Sequence, residues 1–341
     1  MQSPGLFDVA EPGGKLVELG RGEGAKGVKL MSNQSKVSII GAGNVGASCA
    51  QRIAEQGYAD IVLLDIIEGL PQGKALDILQ SAPILSFSSN LVGTNSYQET
   101  AGSDVVVIAS GAARKPGMSR EDLLLTNMKI VGEVIRNVVK HSPDCIIIVA
   151  TNPVDAMVHL AIHESKFPRG RVVGLSGVLD SARLSSFIAA ELNVPVQDVS
   201  ACVLGEHGSN MVVIPRLCTV NGRPITEILP AEAIDRLVER TVRGGAEIVG
   251  LLKTGSAFYA PSAAIARMVE AILLDKKEVL PCAAYLEGEY GIKDTVLGVP
   301  VELGKNGIGR VIELELTPEE KAALANSAKA VQGLVKVMKL G

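Results

Sequence analysis

A chain of 341 residues, 47% hydrophobic and 21% charged, has the balance of a globular protein able to bury a large core. A net charge of -4 without any basic run argues against a nucleic-acid partner, and 3% aromatic residues with no Trp argue against base-stacking platforms or a membrane-interface belt. The five cysteines form no C-x-x-C pair and fit reduced thiols in a cytoplasmic protein better than a disulfide framework, and no apolar run reaches the roughly 18 residues of a membrane span.

Residues 1–34 read as a flexible extension. The first 30 hold seven glycines and no sustained periodicity, and their four acids balance four bases. An apolar h-region is missing, as is the Arg-rich, acid-poor bias of a transit peptide, so no targeting role is expected and Met31 offers an internal start.

Beyond Met31, short β-branched runs alternate with helical stretches. Lys36–Ile40, Ile61–Leu64, Asp104–Ile108 and Cys145–Val149 read as buried parallel strands, with helices over Val45–Gln56 and Arg120–Lys140. This alternation predicts right-handed βαβ units in an α/β fold, a doubly wound parallel sheet of the Rossmann type over residues 35–176. Residues 177–341 are less regular and read as a separate α+β domain. Helices are expected at Asp180–Leu192, Ala231–Leu252 and Pro261–Leu274, and strands at Val279–Tyr285, Val299–Leu303 and Arg310–Leu314. A last helix is expected after the N-cap signal Thr317-Pro318-Glu319-Glu320.

Gly41-Ala42-Gly43-Asn44-Val45-Gly46 follows the first strand and opens a helix. In that context G-x-G-x-x-G permits a tight turn, close backbone approach to a pyrophosphate, and phosphate attraction by the helix N-terminus. Asp65 ends the second strand about 20 residues on, where a carboxylate accepts hydrogen bonds from an adenosine ribose. Its charge, with Ile66 and Ile67 supplying no cation beside it, predicts NAD over NADP.

Arg114-Lys115-Pro116-Gly117-Met118-Ser119-Arg120 sets two guanidinium groups on a loop that its glycine and proline allow to move. Two such forks can grip an anion at two points, which suggests a substrate with more than one carboxylate. His207 lies between Gly205 and Gly208 just after a strand; spacing alone leaves open whether it is a proton carrier or a satisfied polar residue. Asp180 and Arg183 share one helix face, either as an exposed ion pair or as a partner for His207 and a holder for a carboxylate. His159 and His163 have i, i+4 spacing but no accompanying carboxylate or cysteine cluster, so no metal is expected.

From about Ser35 to Gly341 the chain resembles the lactate/malate dehydrogenase family, most closely its lactate-dehydrogenase-like malate dehydrogenases. The resemblance rests on Gly41–Gly46, Asp65, Arg114–Leu124, Thr151–Asp155, Leu179–Arg183, Gly205–Gly208 and Gly255–Pro261. It implies a reversible hydride transfer between (S)-malate and NAD+, giving oxaloacetate and NADH, with L-lactate dehydrogenase as the alternative. It further implies His207 and Asp180 as the catalytic pair, Arg183 on the C1 carboxylate, Arg120 on the C2 oxygen and Asn152 on the substrate. Arg114 would take the distal carboxylate, at a point where lactate-specific relatives usually carry Gln. The cofactor contacts implied are Gly41, Gly43, Asn44, Val45, Gly46, Asp65, Asn127 and Asn152. Self-association as a homodimer or homotetramer is implied too. From the residues alone, the apolar helices Val45–Gln56 and Val242–Leu252 are as well explained by burial within the subunit as by interfaces.

Overall fold

The structure, a computed structural model, describes residues 34–112 and 119–340, with the Arg120 side chain left out. Residues 1–33 of the expected N-terminal extension and Arg114 therefore lie outside the described residues, whereas Gln34 belongs to the compact unit. Residues 34–341 group into one compact unit.

The first half alternates strands and helices: β1 (Ser35–Ile40), α1 (Asn44–Gln56), β2 (Ala59–Leu64), α2 (Leu70–Leu85), β3 (Leu91–Thr94), β4 (Val105–Ile108), α3 (Arg120–His141), β5 (Ile146–Val149), α4 (Val154–Ser165) and β6 (Val172–Gly174). The second half contains α5 (Gly177–Leu192), β7 (Val199–Ser200), β8 (Val203–Gly205), β9 (Met211–Val213), β10 (Thr219–Val220), β11 (Arg223–Pro224), α6 (Ala231–Leu252), α7 (Tyr259–Leu273), β12 (Glu278–Glu287), β13 (Lys293–Gly304), β14 (Gly307–Val311) and α8 (Pro318–Met338).

Six strands run parallel in the order β3-β2-β1-β4-β5-β6, the doubly wound arrangement expected. The continuous apolar runs make sense in this setting. Val105, Val107, Ile146 and Ile148 enter one apolar cluster, while Val106, Ile108, Ile147 and Val149 enter another. Alternate side chains point to opposite faces of a strand, so a sheet covered on both faces needs apolar residues at every position.

The sheet does not stop at β6. Antiparallel pairing of Ala283 with Gly174 adds β12, and then β13, β8 and β9, giving eleven strands with β14 on β13. The expected boundary at 176/177 falls where β6 gives way to α5, yet the second half continues the first half's sheet. A small separate sheet, β11-β10-β7, packs with α5 and α6 around a third apolar cluster.

Three parallel-half elements escaped the sequence reading, each for a physical reason. In α2 the face formed by Pro71, Ala75, Ile78, Leu79 and Ala82 is blurred by the exposed apolar residues Leu76, Ile84 and Leu85, so no clean stripe stands out. β3 contains Gly93, where a Cβ would stand 2.2 Å from the Pro71 carbonyl oxygen, so a strand-weakening residue is required there. β6 is three residues long. The N-cap signal at Thr317 is realised as a capping box with Glu320. No helix among the described residues is long and apolar enough to cross a membrane.

Candidate active site

The glycine-rich turn lies where the order of the parallel strands reverses, between β1 and β4. Gly41 has φ +111°, and a Cβ on it would stand 2.6 Å from the Ser110 backbone nitrogen. At Gly46 a Cβ would stand 1.9 Å from the Gly41 carbonyl oxygen, so helix and strand meet only because the side chain is missing. Gly43 differs: it is exposed, with nothing within 4 Å of its would-be Cβ. Asn44 beside it is exposed as well, and Val45 is half-buried. Gly43 is the N-cap of α1, and no side chain caps that helix end. An open backbone approach to an uncapped helix N-terminus fits a pyrophosphate.

Asp65 follows β2 directly. Its Oδ2 accepts from the Ala42 amide at 2.7 Å and its Oδ1 from the Ile67 amide at 3.0 Å. The carboxylate thus ties the turn to the end of β2 and is itself held in place. Lys74, on α2, donates to the Ala42 carbonyl oxygen at 2.8 Å. This cation at the same turn was missed because α2 itself was not read.

At the end of β5, Thr151 Oγ1 donates to the Ser110 carbonyl oxygen at 2.6 Å. Asn127, on α3, is buried, and its amide is engaged by backbone. Its Oδ1 accepts from the Ala112 amide at 2.7 Å and its Nδ2 donates to the Asn152 carbonyl oxygen at 2.7 Å. Asn127 therefore holds Ala112 and the Asn152 segment together, while Asn152 itself is exposed. Arg120 is the first residue of α3, which Ser119 and Asp122 close with a capping box.

The remaining residues converge from three elements. His207 follows β8, Asp180 and Arg183 lie on α5, and Asp155 lies in the first turn of α4. Asp180 is 1% exposed and divides its two oxygens between partners. Oδ2 faces His207 Nδ1 at 2.7 Å and Oδ1 accepts from Arg183 Nη1 at 3.0 Å. The exposed ion-pair reading of Asp180 and Arg183 is thus replaced by a three-residue cluster in which Asp180 is buried and Arg183 and His207 are half-buried. A carboxylate only accepts, so Nδ1 carries the hydrogen and Nε2 is left for another partner. Burial opposes the imidazolium, but the charge and hydrogen bond of Asp180, with Asp155 adding, outweigh it and raise the His207 pKa.

Asp155 closes the Thr151–Asp155 segment. Its Oδ2 accepts from the His207 amide at 2.9 Å, while its Oδ1 is buried without a hydrogen-bond partner among the described residues. Burial pushes its pKa up to about 7, against the lowering effects of the His207 amide and charge. An acid inside an otherwise apolar helix start was the only sequence signal that could have singled it out. The His159 ring packs against Tyr285, with centroids 5.6 Å apart, and among the described residues no group of three potential ligands is arranged to hold a metal.

Comparison with known proteins agrees with this geometry. The family model described as lactate/malate dehydrogenase, NAD binding domain, matches residues 35–174, and that of the alpha/beta C-terminal domain matches residues 177–339. A malate dehydrogenase from Thermomicrobium roseum is 58% identical over 304 residues, covering 89% of this chain and 98% of the relative. The solved malate dehydrogenase from Salinibacter ruber is 48% identical with a TM-score of 0.86, covering 89% of this chain and 97% of its own. A lactate dehydrogenase from Cryptosporidium parvum, solved with lactic acid and nicotinamide adenine dinucleotide, is 40% identical with a TM-score of 0.87, covering 90% of this chain and 99% of its own. With both halves matched and the turn, carboxylate and histidine cluster in place, the chain belongs to the lactate/malate dehydrogenase family.

Proposed function

We propose that the protein is an NAD-dependent malate dehydrogenase that interconverts (S)-malate and oxaloacetate. The observation that carries the reading is the buried Asp180 carboxylate, which holds His207 through one oxygen and Arg183 through the other. A proton carrier and a carboxylate fork are thereby fixed relative to each other, which is what a 2-hydroxy acid requires. The family match over residues 35–174 and 177–339 supports a nucleotide half followed by a substrate half.

NAD+, when bound, supplies the hydride acceptor for C2 of malate. Gly41, Gly43, Asn44, Val45 and Gly46 would hold its pyrophosphate, Asp65 its adenosine ribose, and Asn152 the nicotinamide end, with Asn127 keeping Asn152 in place. His207 Nε2 takes the proton of the C2 hydroxyl. Asp180 keeps the tautomer that allows this and favours the imidazolium that results. Arg183 pairs with the C1 carboxylate. Arg120 stabilises the negative charge developing on the C2 oxygen, and Arg114 takes the distal carboxylate. A cytoplasmic location fits the scattered cysteines. Self-association, as a dimer or tetramer, is supported by the exposed Val249, Leu251 and Leu252 at the end of α6. The apolar face of α1, by contrast, is buried in its own subunit.

Fold similarity does not separate malate from lactate, since relatives of both kinds superpose equally well. Arg114 does. With pyruvate its guanidinium would be enclosed without a partner, a cost of roughly 2–5 kcal/mol. NADH oxidation measured in parallel should therefore favour oxaloacetate by roughly 10²-fold or more in kcat/KM. Arg114→Gln should move the preference towards pyruvate. Comparable kcat/KM values for the two acids in the unmodified protein would overturn the assignment to malate and leave the L-lactate alternative.

A further inference from the structure

Helix α6 carries two adjacent glycines, Gly244 and Gly245, in the middle of its 22 residues. Glycine is, after proline, the poorest residue for a helix interior, so the pair needs a reason beyond helix formation. Gly245 supplies none, because nothing lies within 4 Å of the point where its Cβ would stand. Gly244 is buried, and its Cβ would stand 2.2 Å from Cδ and 2.6 Å from Nε of Arg183. Atoms cannot approach that closely. The three nearest obstructed atoms all belong to the Arg183 side chain and none to backbone. A methyl group at this point would therefore displace the guanidinium rather than part the two helices.

The guanidinium has two other fixed points. Its Nη1 donates to Asp180 Oδ1 at 3.0 Å and lies 3.4 Å from the carbonyl oxygen of Thr241, one turn before Gly244 on α6. Its stem crosses α6 over the bare backbone, and its head sits between Asp180 and Thr241. We propose that Gly244 is a positioning residue for the substrate: its missing side chain is the seat that lets the Arg183 stem cross α6 and aim its fork at the C1 carboxylate. The inference rests on the reading of Arg183 as the carboxylate holder. It makes α6 a second wall of the carboxylate site, although none of its side chains need touch the substrate.

The test compares Gly244→Ala, Gly245→Ala, Arg183→Ala and the double variant Gly244→Ala/Arg183→Ala in the full chain. Readouts are the KM and kcat for oxaloacetate, the Kd for NADH by fluorescence, and Tm. Gly244→Ala should raise the oxaloacetate KM by roughly 10-fold to 10²-fold, as misplacing a binding group by about 1 Å does. It should leave NADH affinity and Tm undiminished. Gly245→Ala should match the unmodified protein in KM, kcat and NADH affinity, with Tm equal or higher because alanine favours the helix. In the Arg183→Ala background, Gly244→Ala should have no further effect on kcat/KM, because its only route of action is gone. Equal behaviour of the two glycine variants, a parallel loss of NADH binding, or full additivity with Arg183→Ala would each overturn the seat. Wild-type KM in Arg183→Ala would instead overturn the role of Arg183 on which the proposal rests.

Discussion

The glycine-rich turn and the His207 cluster sit in one sheet-based unit but are built in opposite ways. The turn is local: Gly41 to Gly46 are consecutive, and Asp65 reaches back from the next strand to hold the Ala42 amide. Its backbone geometry is dictated where a side chain cannot fit, as at Gly41 and Gly46. The cluster is assembled from α4, α5 and the loop after β8, and Asp180 acquires its meaning only through burial between His207 and Arg183. Local steric rules make the first region robust to distant change, whereas the second depends on how helices pack.

The sharpest way to break this comparison is at His207. His207→Asn removes the proposed proton carrier and should lower kcat by roughly 10²–10⁴-fold, the usual worth of general acid–base help. Stopped-flow titration should still show NADH binding, because the turn does not depend on the cluster. Near-wild-type kcat would remove His207 from the chemistry. Loss of NADH binding along with turnover would show the two regions to be less separable than their construction suggests.

Within the turn, the glycines should part company. Gly46→Ala places a methyl against the Gly41 carbonyl oxygen and should destabilise the fold by roughly 1–3 kcal/mol, seen as a lower Tm. Gly43→Ala meets open space and should leave Tm unchanged while weakening NADH roughly tenfold, because it obstructs the backbone approach to the pyrophosphate. If both variants lost stability equally, Gly43 would have no ligand-specific role.

The smallest effect concerns Asp155. A buried carboxyl whose pKa is raised to about 7 binds its proton more tightly folded than unfolded. Its ionisation therefore costs stability progressively from about pH 4, the unfolded value, up to about pH 7, and the cost stays constant above that. His207, whose pKa is also raised, contributes in the same direction: its stabilisation is complete below its unfolded pKa and is lost as pH rises through the folded one. Thermal unfolding at pH 5 and pH 8 should therefore show a larger loss of Tm in the unmodified protein than in Asp155→Asn. Identical pH dependence in the two would mean that Asp155 ionises without cost in the folded state.

Much of the parallel sheet was legible because β4 and β5 are buried and apolar at every position, as are the last four residues of β2, and the last four of β1 apart from Ser38. α2, β3 and β6 were not legible. The first carries exposed apolar residues opposite its packed face, the second needs a glycine, and the third is too short for a pattern. In the site, the turn and Asp65 stood out by spacing, whereas the flanking glycines of His207 left its role open and only the family resemblance implied it. Asp155 and Lys74 did not stand out, since their significance lies in partners found far along the chain: the His207 amide for one and the Ala42 carbonyl for the other.

By itself the sequence determined the βαβ alternation and the nucleotide turn, which follow from short-range sterics and side-chain chemistry, while the roles of His207, Asp180 and Arg183 were implied only by the family resemblance. Tertiary structure alone decided that the second half continues the sheet through Ala283 and Gly174, because strand pairing between distant segments depends on which edge is left open. It alone decided that Asp180 serves two partners, that Asp155 is buried beneath His207, and that Gly244 leaves room for Arg183. Each of these rests on distances of a few ångströms between residues far apart in the chain, and no spacing within the sequence encodes such a distance.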